Sequence, residues 1–203
     1  MTVEGVIAAG GLSSRMGVHK LLLDLGGVTL IEKCLKAMYD QCERIIVVGG
    51  YNVSSIEKIM RKYSRVEVVF NPDYQQGMFS SVKEGCKHVR AARFFFTPAD
   101  YPMIKKSTYT NLLAVNGDIV LPSYQGLTGH PVLMQTTLIK ELLSKDYANL
   151  RNFIISKSFI KIELNDPGVL IDVDTMEDYL KVKRMLESGV KRLYGSYHHG
   201  GNQ

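Results

Sequence analysis

Two uninterrupted apolar runs constrain the fold of this chain more than any other feature. Residues 45–48 read IIVV and are followed by two glycines, and residues 94–96 read FFF. A strand that faces water on one side alternates apolar and polar residues, whereas a strand buried on both faces does not alternate. Both runs are therefore predicted to be central strands of a parallel sheet that has helices on both faces.

Segments with helical spacing separate the predicted strands in the first half of the chain. The first has apolar residues at Leu30, Ile31, Cys34, Leu35 and Met38. This alternation predicts right-handed βαβ units and an α/β fold with a mostly parallel sheet. In the second half the strands follow one another closely, which predicts an antiparallel edge. We expect one domain over residues 1–190 and a disordered polar tail over residues 191–203.

Capping-box pairs predict where four of the helices begin, because a Ser or Thr and an acidic residue three positions later satisfy each other's backbone amides. The pairs are Thr29/Glu32, Ser54/Glu57, Ser81/Glu84 and Thr175/Asp178.

Composition narrows the classes of partner. The net charge of +5 is modest, and the basic residues are not interleaved with aromatic ones, so nucleic-acid binding is not expected. No apolar run is long enough for a membrane span, and the N-terminal residues do not resemble a signal peptide. Three cysteines without CxxC spacing suit a reducing compartment. A cytoplasmic protein is therefore predicted.

A glycine-containing loop follows the first predicted strand. Gly10 and Gly11 allow a ligand to approach the backbone closely, and Arg15 and Lys20 add two cations. This combination suits a nucleoside triphosphate, although a simple strand–helix turn would also explain the glycines. The loop matches neither G-x-G-x-x-G nor the Walker pattern.

Further polar groups follow other predicted strands. They are the loop Asn71–Ser81, Asp100, and the pair Asp172 and Asp174. Ligands of open α/β sheets bind beyond the carboxyl ends of the strands, so these groups are expected to meet. Carboxylates in such a place suit Mg²⁺. The alternative for each aspartate is a structural one, a turn residue for Asp100 and helix N-terminal charge for Asp172 and Asp174.

Five motifs in order resemble the MobA-like nucleotidyltransferases, whose first motif reads apolar-A-A-G-x-S-x-R-M-G-x-x-K. Here that motif is IAAGGLSSRMGVHK at residues 7–20, and the others are NP with GMFSS (71–81), PADYP (98–102), GHPVL (129–133) and DVDTMED (172–178). The set is most similar to the molybdenum cofactor cytidylyltransferases. The sequence departs from the pattern in two places: His19 replaces a proline, and Ala99-Asp100-Tyr101 replaces the usual G-D-M or G-D-Q.

The resemblance implies roles for particular residues. The nucleotide would be held by Ala8, Ala9, Gly10, Gly11, Lys20, Gly77, Ser80 and Ser81. Arg15 and Lys20 would contact the triphosphate, and Asp100 would bind Mg²⁺ together with Asp172 or Asp174. His130 would lie near the acceptor, unless it only begins a strand. The implied fold is a Rossmann-like three-layer sandwich of the nucleotide-diphospho-sugar transferase type.

The implied reaction is transfer of CMP from CTP to the terminal phosphate of a molybdopterin-type acceptor, with release of pyrophosphate. The Ala9 position favours CTP, since guanylyl relatives read A-G-G there. GTP or another donor, a sugar- or alcohol-phosphate acceptor, and a non-catalytic nucleotide sensor are the alternatives. Expected partners are the nucleotide, a phosphorylated pterin and a molybdoenzyme that receives the product, with the chain a monomer or weak homo-oligomer.

Overall fold

Strands and helices alternate through the first half of the chain, as the sequence predicts, and strands follow one another closely in the second half. The computed structural model describes residues 2–11 and 19–195, with side chains up to residue 188. The strands in this part are β1 (Val3–Ala9), β2 (Arg44–Gly49), β3 (Val66–Phe70), β4 (Arg93–Pro98), β5 (Ile119–Tyr124), β6 (Leu127–Thr128), β7 (Val132–Gln135) and β8 (Ile160–Glu163). The α-helices are α1 (Leu30–Met38), α2 (Val53–Met60), α3 (Met78–His88), α4 (Lys106–Leu113), α5 (Ile139–Ser144), α6 (Leu150–Ile155) and α7 (Met176–Gly195).

All of these strands form one sheet in the order β3-β2-β1-β4-β7-β5-β6, with β8 paired to β5. Strands β1 to β4 are mutually parallel, which confirms the mostly parallel sheet. The antiparallel part is less simple than an edge, because β7 lies inside the sheet between β4 and β5 and is antiparallel to both. After β4, the chain passes over the position that β7 later fills and forms β5 first. The order of the strands in the sequence does not reveal this crossover.

The two long apolar runs are buried on both faces, as predicted. Ile45 and Val47 belong to one core, whereas Ile46 and Val48 belong to the other. Helices α1, α2, α4 and α7 cover the first face, and α3, α5 and α6 cover the second. The architecture is therefore the three-layer sandwich that the sequence predicts.

Two of the four predicted helix starts are confirmed. The Thr29 amide donates to the Glu32 carboxylate over 2.8 Å, and the Thr175 amide donates to Asp178 over 2.8 Å. The other two predictions are wrong, since each helix begins before the predicted cap. Helix α2 follows Asn52, which has a φ of +55°.

Helix α3 follows Gly77, whose φ is +94°. Glycine reaches this left-handed region without the steric cost that a Cβ imposes, so the chain turns into the helix three residues before Ser81. Ser81 consequently lies within the helix and not at its cap.

The C-terminal boundary also differs from the prediction. Helix α7 continues to Gly195 and includes residues 191–195, which were expected to belong to a disordered tail. The apolar spacing of Leu186, Val190 and Leu193 continues through this segment, which explains the longer helix. Residues 196–203 lie outside the described part of the chain. No helix between residues 19 and 195 is both long and apolar enough to cross a membrane.

A buried carboxylate at the start of α1 makes stability depend on pH. Glu32 accepts hydrogen bonds from Thr29 and Tyr63, and it forms an ion pair with Lys62 at 2.6 Å. Burial alone would raise the pKa of Glu32, but these partners lower it to about 2. A carboxylate with a lowered pKa stabilises the fold above its ordinary pKa near 4.5, and this contribution is lost as the pH falls towards 2.

We therefore expect Glu32→Gln to lower the free energy of unfolding by about 2–3 kcal/mol at pH 7 and by progressively less as the pH falls from 5 towards 2. Urea unfolding of both proteins at several pH values measures the difference. Asp40→Asn is the matched control, because its carboxylate is exposed and its ion pair with Lys106 lies in solvent. A difference that stays constant between pH 7 and pH 3 would contradict the assignment.

Candidate functional site

A crevice opens where the strand order changes direction. Strands β2 and β4 lie on opposite sides of β1, so the carboxyl ends of β1 and β4 diverge towards different connections. A cavity of about 300 Å³, which we call the small cavity, lies at this point. Nine of the predicted site residues line it: Ala8, Ala9, Gly10, Gly11, Lys20, Gly77, Ser81, Asp100 and Asp174.

Lys20 is the centre of the polar contacts in the small cavity. Its ammonium nitrogen lies 2.8 Å from Asp100 Oδ2, 3.0 Å from Asp174 Oδ1 and 2.8 Å from the Val173 carbonyl oxygen. Lys20 is the first residue of a 3₁₀ turn, and the next residue, Leu21, is buried in the core and anchors the turn. Asp100 and Asp174, which follow Lys20 by 80 and 154 positions in the sequence, thus meet at one cation.

The electrostatics of this contact favour the ionised lysine. Burial by itself would lower the pKa of Lys20, but the charges of Asp100 and Asp174 and their hydrogen bonds outweigh burial and raise it. The ammonium is therefore charged at any physiological pH. Because a carboxylate or a phosphate oxygen suits it equally, Lys20 can exchange these partners for those of a bound anion.

The same carboxylates fit a divalent cation. Asp100 Oδ1 is buried and has no hydrogen-bond partner among the described residues, while Oδ2 faces Lys20. Asp100 Oδ2 and Asp174 Oδ1 lie at most about 6 Å apart, since each is within 3.0 Å of the same nitrogen. Mg²⁺ commonly takes one or two carboxylates and completes its shell with water and substrate phosphates.

No group of three His, Cys, Asp or Glu side chains suited to a metal occurs within residues 2–11 and 19–188. Two carboxylates would therefore need ligand oxygens to complete a metal shell. Asp172 does not line the small cavity. Desolvation and the nearby charges of Asp100 and Asp174 raise its pKa, so it lies close to the pair without joining it.

The loop between β3 and α3 forms the wall opposite Lys20. Ser81 lines the small cavity, but Ser80 does not. The Ser80 hydroxyl instead donates to the carbonyl oxygens of Asp73 and Gly77 and accepts from Asn71. Ser80 thus stabilises the loop, whereas Ser81 faces the cavity. The two residues differ because consecutive helical positions point in different directions.

Asn71 holds this loop from beneath. Its side chain is 1% exposed, donates to the hydroxyls of Ser80 and Ser81, and accepts from the Asp73 amide over 2.9 Å. Asn71 does not itself line the small cavity but contacts two residues that do, Ser81 and Tyr74, whose amide donates to the Asn71 carbonyl oxygen over 3.3 Å, and it is therefore a positioning residue.

We expect Asn71→Ala to raise the KM for the nucleotide by about tenfold and to leave the KM for the second substrate within about twofold. Steady-state kinetics with each substrate varied in turn would show the split. Ser55→Ala is the control, because it removes a hydrogen bond to Asn52 at the exposed start of α2. Equal increases in both KM values would point to general loss of structure.

A second cavity of about 800 Å³, the large cavity, adjoins the first, and Met78 lines both. His130 and Tyr101 line the large cavity and contact each other edge to face with ring centroids 4.8 Å apart. Burial lowers the pKa of His130 to about 4, and its Nδ1 has no partner among the described residues, so the ring is neutral. The structure thus places His130 in the lining of the large cavity and not in that of the small one.

Sequence reasoning missed part of this site. Tyr74, Gln75 and Met78 line the small cavity and fall within the polar loop that was predicted only as a unit. The large cavity was not predicted, and Tyr101, next to Asp100 in the sequence, was the available signal. Arg15 lies outside the described residues.

The three cysteines are all buried. Burial raises the pKa of Cys42 and of Cys86 to about 12 and that of Cys34 well above its ordinary value. The thiols are therefore protonated at neutral pH, and the site chemistry does not include a thiolate nucleophile.

Comparisons with known proteins agree on the type of protein. Residues 5–158 match the pattern of the MobA-like NTP transferase domain. The chain is 28% identical over 183 residues to the molybdenum cofactor cytidylyltransferase of Escherichia coli strain K12, covering 89% of this chain and 95% of that protein. It is 26% identical over 198 residues to a probable molybdenum cofactor guanylyltransferase of Bacillus anthracis, covering 91% and 97%.

Solved structures show the same fold. A nucleotidyl transferase from Methanothermobacter superposes with a TM-score of 0.82 at 22% identity, covering 93% of this chain and 99% of that one. A Mycobacterium tuberculosis protein solved as a complex with manganese superposes with a TM-score of 0.72 at 20% identity, covering 91% and 99%. The nucleotide-diphospho-sugar transferase type of fold, implied by the sequence motifs, is thereby confirmed.

Proposed function

Since this chain belongs to the MobA-like NTP transferase domain family, we propose that it transfers CMP from CTP to the terminal phosphate of a molybdopterin-type acceptor. One observation carries the proposal. Lys20, Asp100 and Asp174 meet in a small polar cavity at the switch point of the sheet, and a larger apolar cavity adjoins it. The first suits a triphosphate and the second suits the body of an acceptor.

The small cavity would receive the donor. Ala8 to Gly11 line it with backbone and small side chains, so the nucleotide can approach the strand end closely. A Cβ on Gly10 would lie 3.0 Å from Ser81 Oγ, which shows how near the two walls are. Lys20 would bind phosphate oxygens and neutralise the charge that develops as pyrophosphate leaves.

Asp100 and Asp174 would hold Mg²⁺ in this site. The bound ion would supply charge neutralisation to the phosphate oxygens of the donor. Two observations support this role: Asp100 Oδ1 is buried without a hydrogen-bond partner among the described residues, and the Asp174 carboxylate lies close to Asp100. Lys20 lies between the two carboxylates and keeps them close together before ligands bind.

The reaction requires no general base. The acceptor phosphate is largely dianionic at neutral pH, because its second pKa is near 6. One of its oxygens forms a bond to the α-phosphorus, the bond from that phosphorus to the bridging oxygen breaks, and the electron pair leaves with pyrophosphate. The small cavity accordingly combines one cation with two carboxylates, and neither a thiolate nor a charged histidine is required. Catalysis then depends on positioning and charge.

Two features support CTP as the donor. Ala9 lies in the lining of the small cavity and is buried, and its methyl group replaces the glycine of the guanylyl pattern. The cytidylyltransferase of E. coli also matches with 28% identity, against 26% for the guanylyltransferase of B. anthracis. GTP is the main alternative donor, and a sugar- or alcohol-phosphate is the alternative acceptor.

Pyrophosphate release with each of the four nucleoside triphosphates and Mg²⁺, with and without molybdopterin, tests the proposal. We expect release with CTP only when the acceptor is present. Faster release with GTP than with CTP would show that GTP is the donor. Nucleotide binding without release under any combination would favour a nucleotide sensor over an enzyme.

A further inference from the structure

We infer that the large cavity selects a flat, elongated acceptor whose far end carries a hydrogen-bond-accepting oxygen, held by Arg151 and Lys161. This inference rests on the proposed function, because the phosphate end of the acceptor must lie beside Asp100 in the small cavity. It assigns specificity to two residues on α6 and β8 that lie far from the carboxylates in the sheet.

The floor of the large cavity is one row of side chains across four strands. Phe96 of β4 pairs with Val132 of β7, and Leu121 of β5 pairs with Lys161 of β8. Val120 and Leu133 pair between β5 and β7, so the next residues, Leu121 and Val132, come side by side on the other face. The row therefore runs Phe96, Val132, Leu121, Lys161, and all four line the cavity.

This row gives the cavity a length and a direction. Neighbouring strands lie about 4.8 Å apart, so three steps separate Phe96 from Lys161 by roughly 14 Å. Phe96 lies near the end of β4, which leads to Asp100, while Lys161 lies on the strand farthest from it. An acceptor with its phosphate at Asp100 would point its other end at Lys161.

The walls suit a flat ring system. Helices α3 and α6 contribute Phe79, Val82, Leu150 and Ile154 on one side of the row. Tyr101 and His130 stand at the phosphate end, stacked edge to face. These apolar side chains would contact a planar ring system and suit its apolar area.

The charged groups of the lining lie on α6 and on β8, the strand at the far end of the row. Arg151 and Lys161 are the only charged groups among the described residues of the lining, since His130 is neutral, and no carboxylate occurs there. Neither cation forms an ion pair within 4 Å of a described carboxylate. A hydrogen bond from Ser123 is the main factor that lowers the pKa of Glu163, and the charge of Lys161 adds a smaller effect. Arginine and lysine only donate hydrogen bonds, so the group that they recognise must accept them.

The test uses binding and does not depend on turnover. The probe is 6-hydroxymethylpterin phosphate, a fluorescent flat heterocycle with a ring carbonyl, titrated into wild-type protein, Arg151→Gln, Lys161→Gln and the double variant. We expect each single variant to raise its Kd by about tenfold and the double variant by more, with the Kd for CTP within twofold of wild type. Lys140→Gln, an exposed lysine of α5 outside the cavity, is the control with no change.

Unphosphorylated 6-hydroxymethylpterin decides the orientation. If Arg151 and Lys161 hold the ring oxygen, the variants weaken this ligand by the same factor as its phosphate ester. Weakening of the phosphorylated ligand alone would show that the two cations bind the phosphate, and it would overturn the inference. An unchanged Kd in the double variant, or no pterin binding by the wild type, would overturn it as well. Pterin binding without pyrophosphate release would instead count against the proposed function.

Discussion

Asp100→Asn is expected to lower kcat by about 10³-fold while the protein stays folded. The amide has nearly the volume of the carboxylate but lacks its charge, so the buried oxygen beside Lys20 can no longer bind a cation strongly. Binding of CTP should weaken much less than catalysis, because Lys20 and the strand end remain. Steady-state kinetics and calorimetric titration with CTP measure the two effects separately.

The matched control for this variant is Asp118→Asn. Strand β5 runs parallel to β4, since both are antiparallel to β7. Asp118 is exposed and precedes β5, so it lies at the amino ends of these strands, away from Asp100 at the carboxyl end of β4. This variant should retain full activity. The thermal midpoint of Asp100→Asn should stay within a few degrees of wild type, because Asp174 and the Val173 carbonyl still hold Lys20. Activity within tenfold of wild type would remove Asp100 from the reaction.

Lys20→Gln is expected to lower kcat/KM for CTP by about 10²- to 10³-fold. The variant removes the ammonium that lies between the carboxylates of Asp100 and Asp174 in the ligand-free protein. The triphosphate then meets these carboxylates without the charge of Lys20, and like charges repel it. We expect KM to rise and kcat to fall, in contrast to the selective effect of Asp100→Asn on kcat.

Two further variants test whether the charge alone is sufficient. Lys20→Arg keeps the cation but replaces a compact ammonium by a planar guanidinium, which does not fit between three oxygens at 2.8–3.0 Å. We therefore expect only partial activity. Lys36→Gln, an exposed lysine of α1, controls for the change in net charge. Wild-type kinetics for Lys20→Gln would exclude any role of Lys20 with the triphosphate.

The features that sequence reasoning predicted well depend on local chemistry or on burial. The run at residues 45–48 was recognisable because a strand with apolar side chains on both faces needs cover on both faces. The pair Thr29/Glu32 was recognisable because both partners lie within one turn. The meeting of Lys20, Asp100 and Asp174 followed from a single rule about the carboxyl ends of strands.

The features that it missed depend on long-range pairing or on backbone angles. The position of β7 inside the sheet depends on a crossover, and residues 132–135 look like any short strand. The early starts of α2 and α3 depend on positive φ values at Asn52 and Gly77, which side-chain patterns do not report. The large cavity arises only after β8 pairs with β5 and brings Lys161 into register with Leu121.

The most direct test of the central claim follows the α-phosphate of CTP. CTP labelled at the α-phosphorus is incubated with the protein, Mg²⁺ and molybdopterin, and the products are separated and identified by mass. We expect the label in a product in which CMP is joined to the acceptor through a pyrophosphate linkage, with one unlabelled pyrophosphate released for each product formed. Label recovered only in free CMP or CDP would contradict nucleotidyl transfer to a phosphate acceptor.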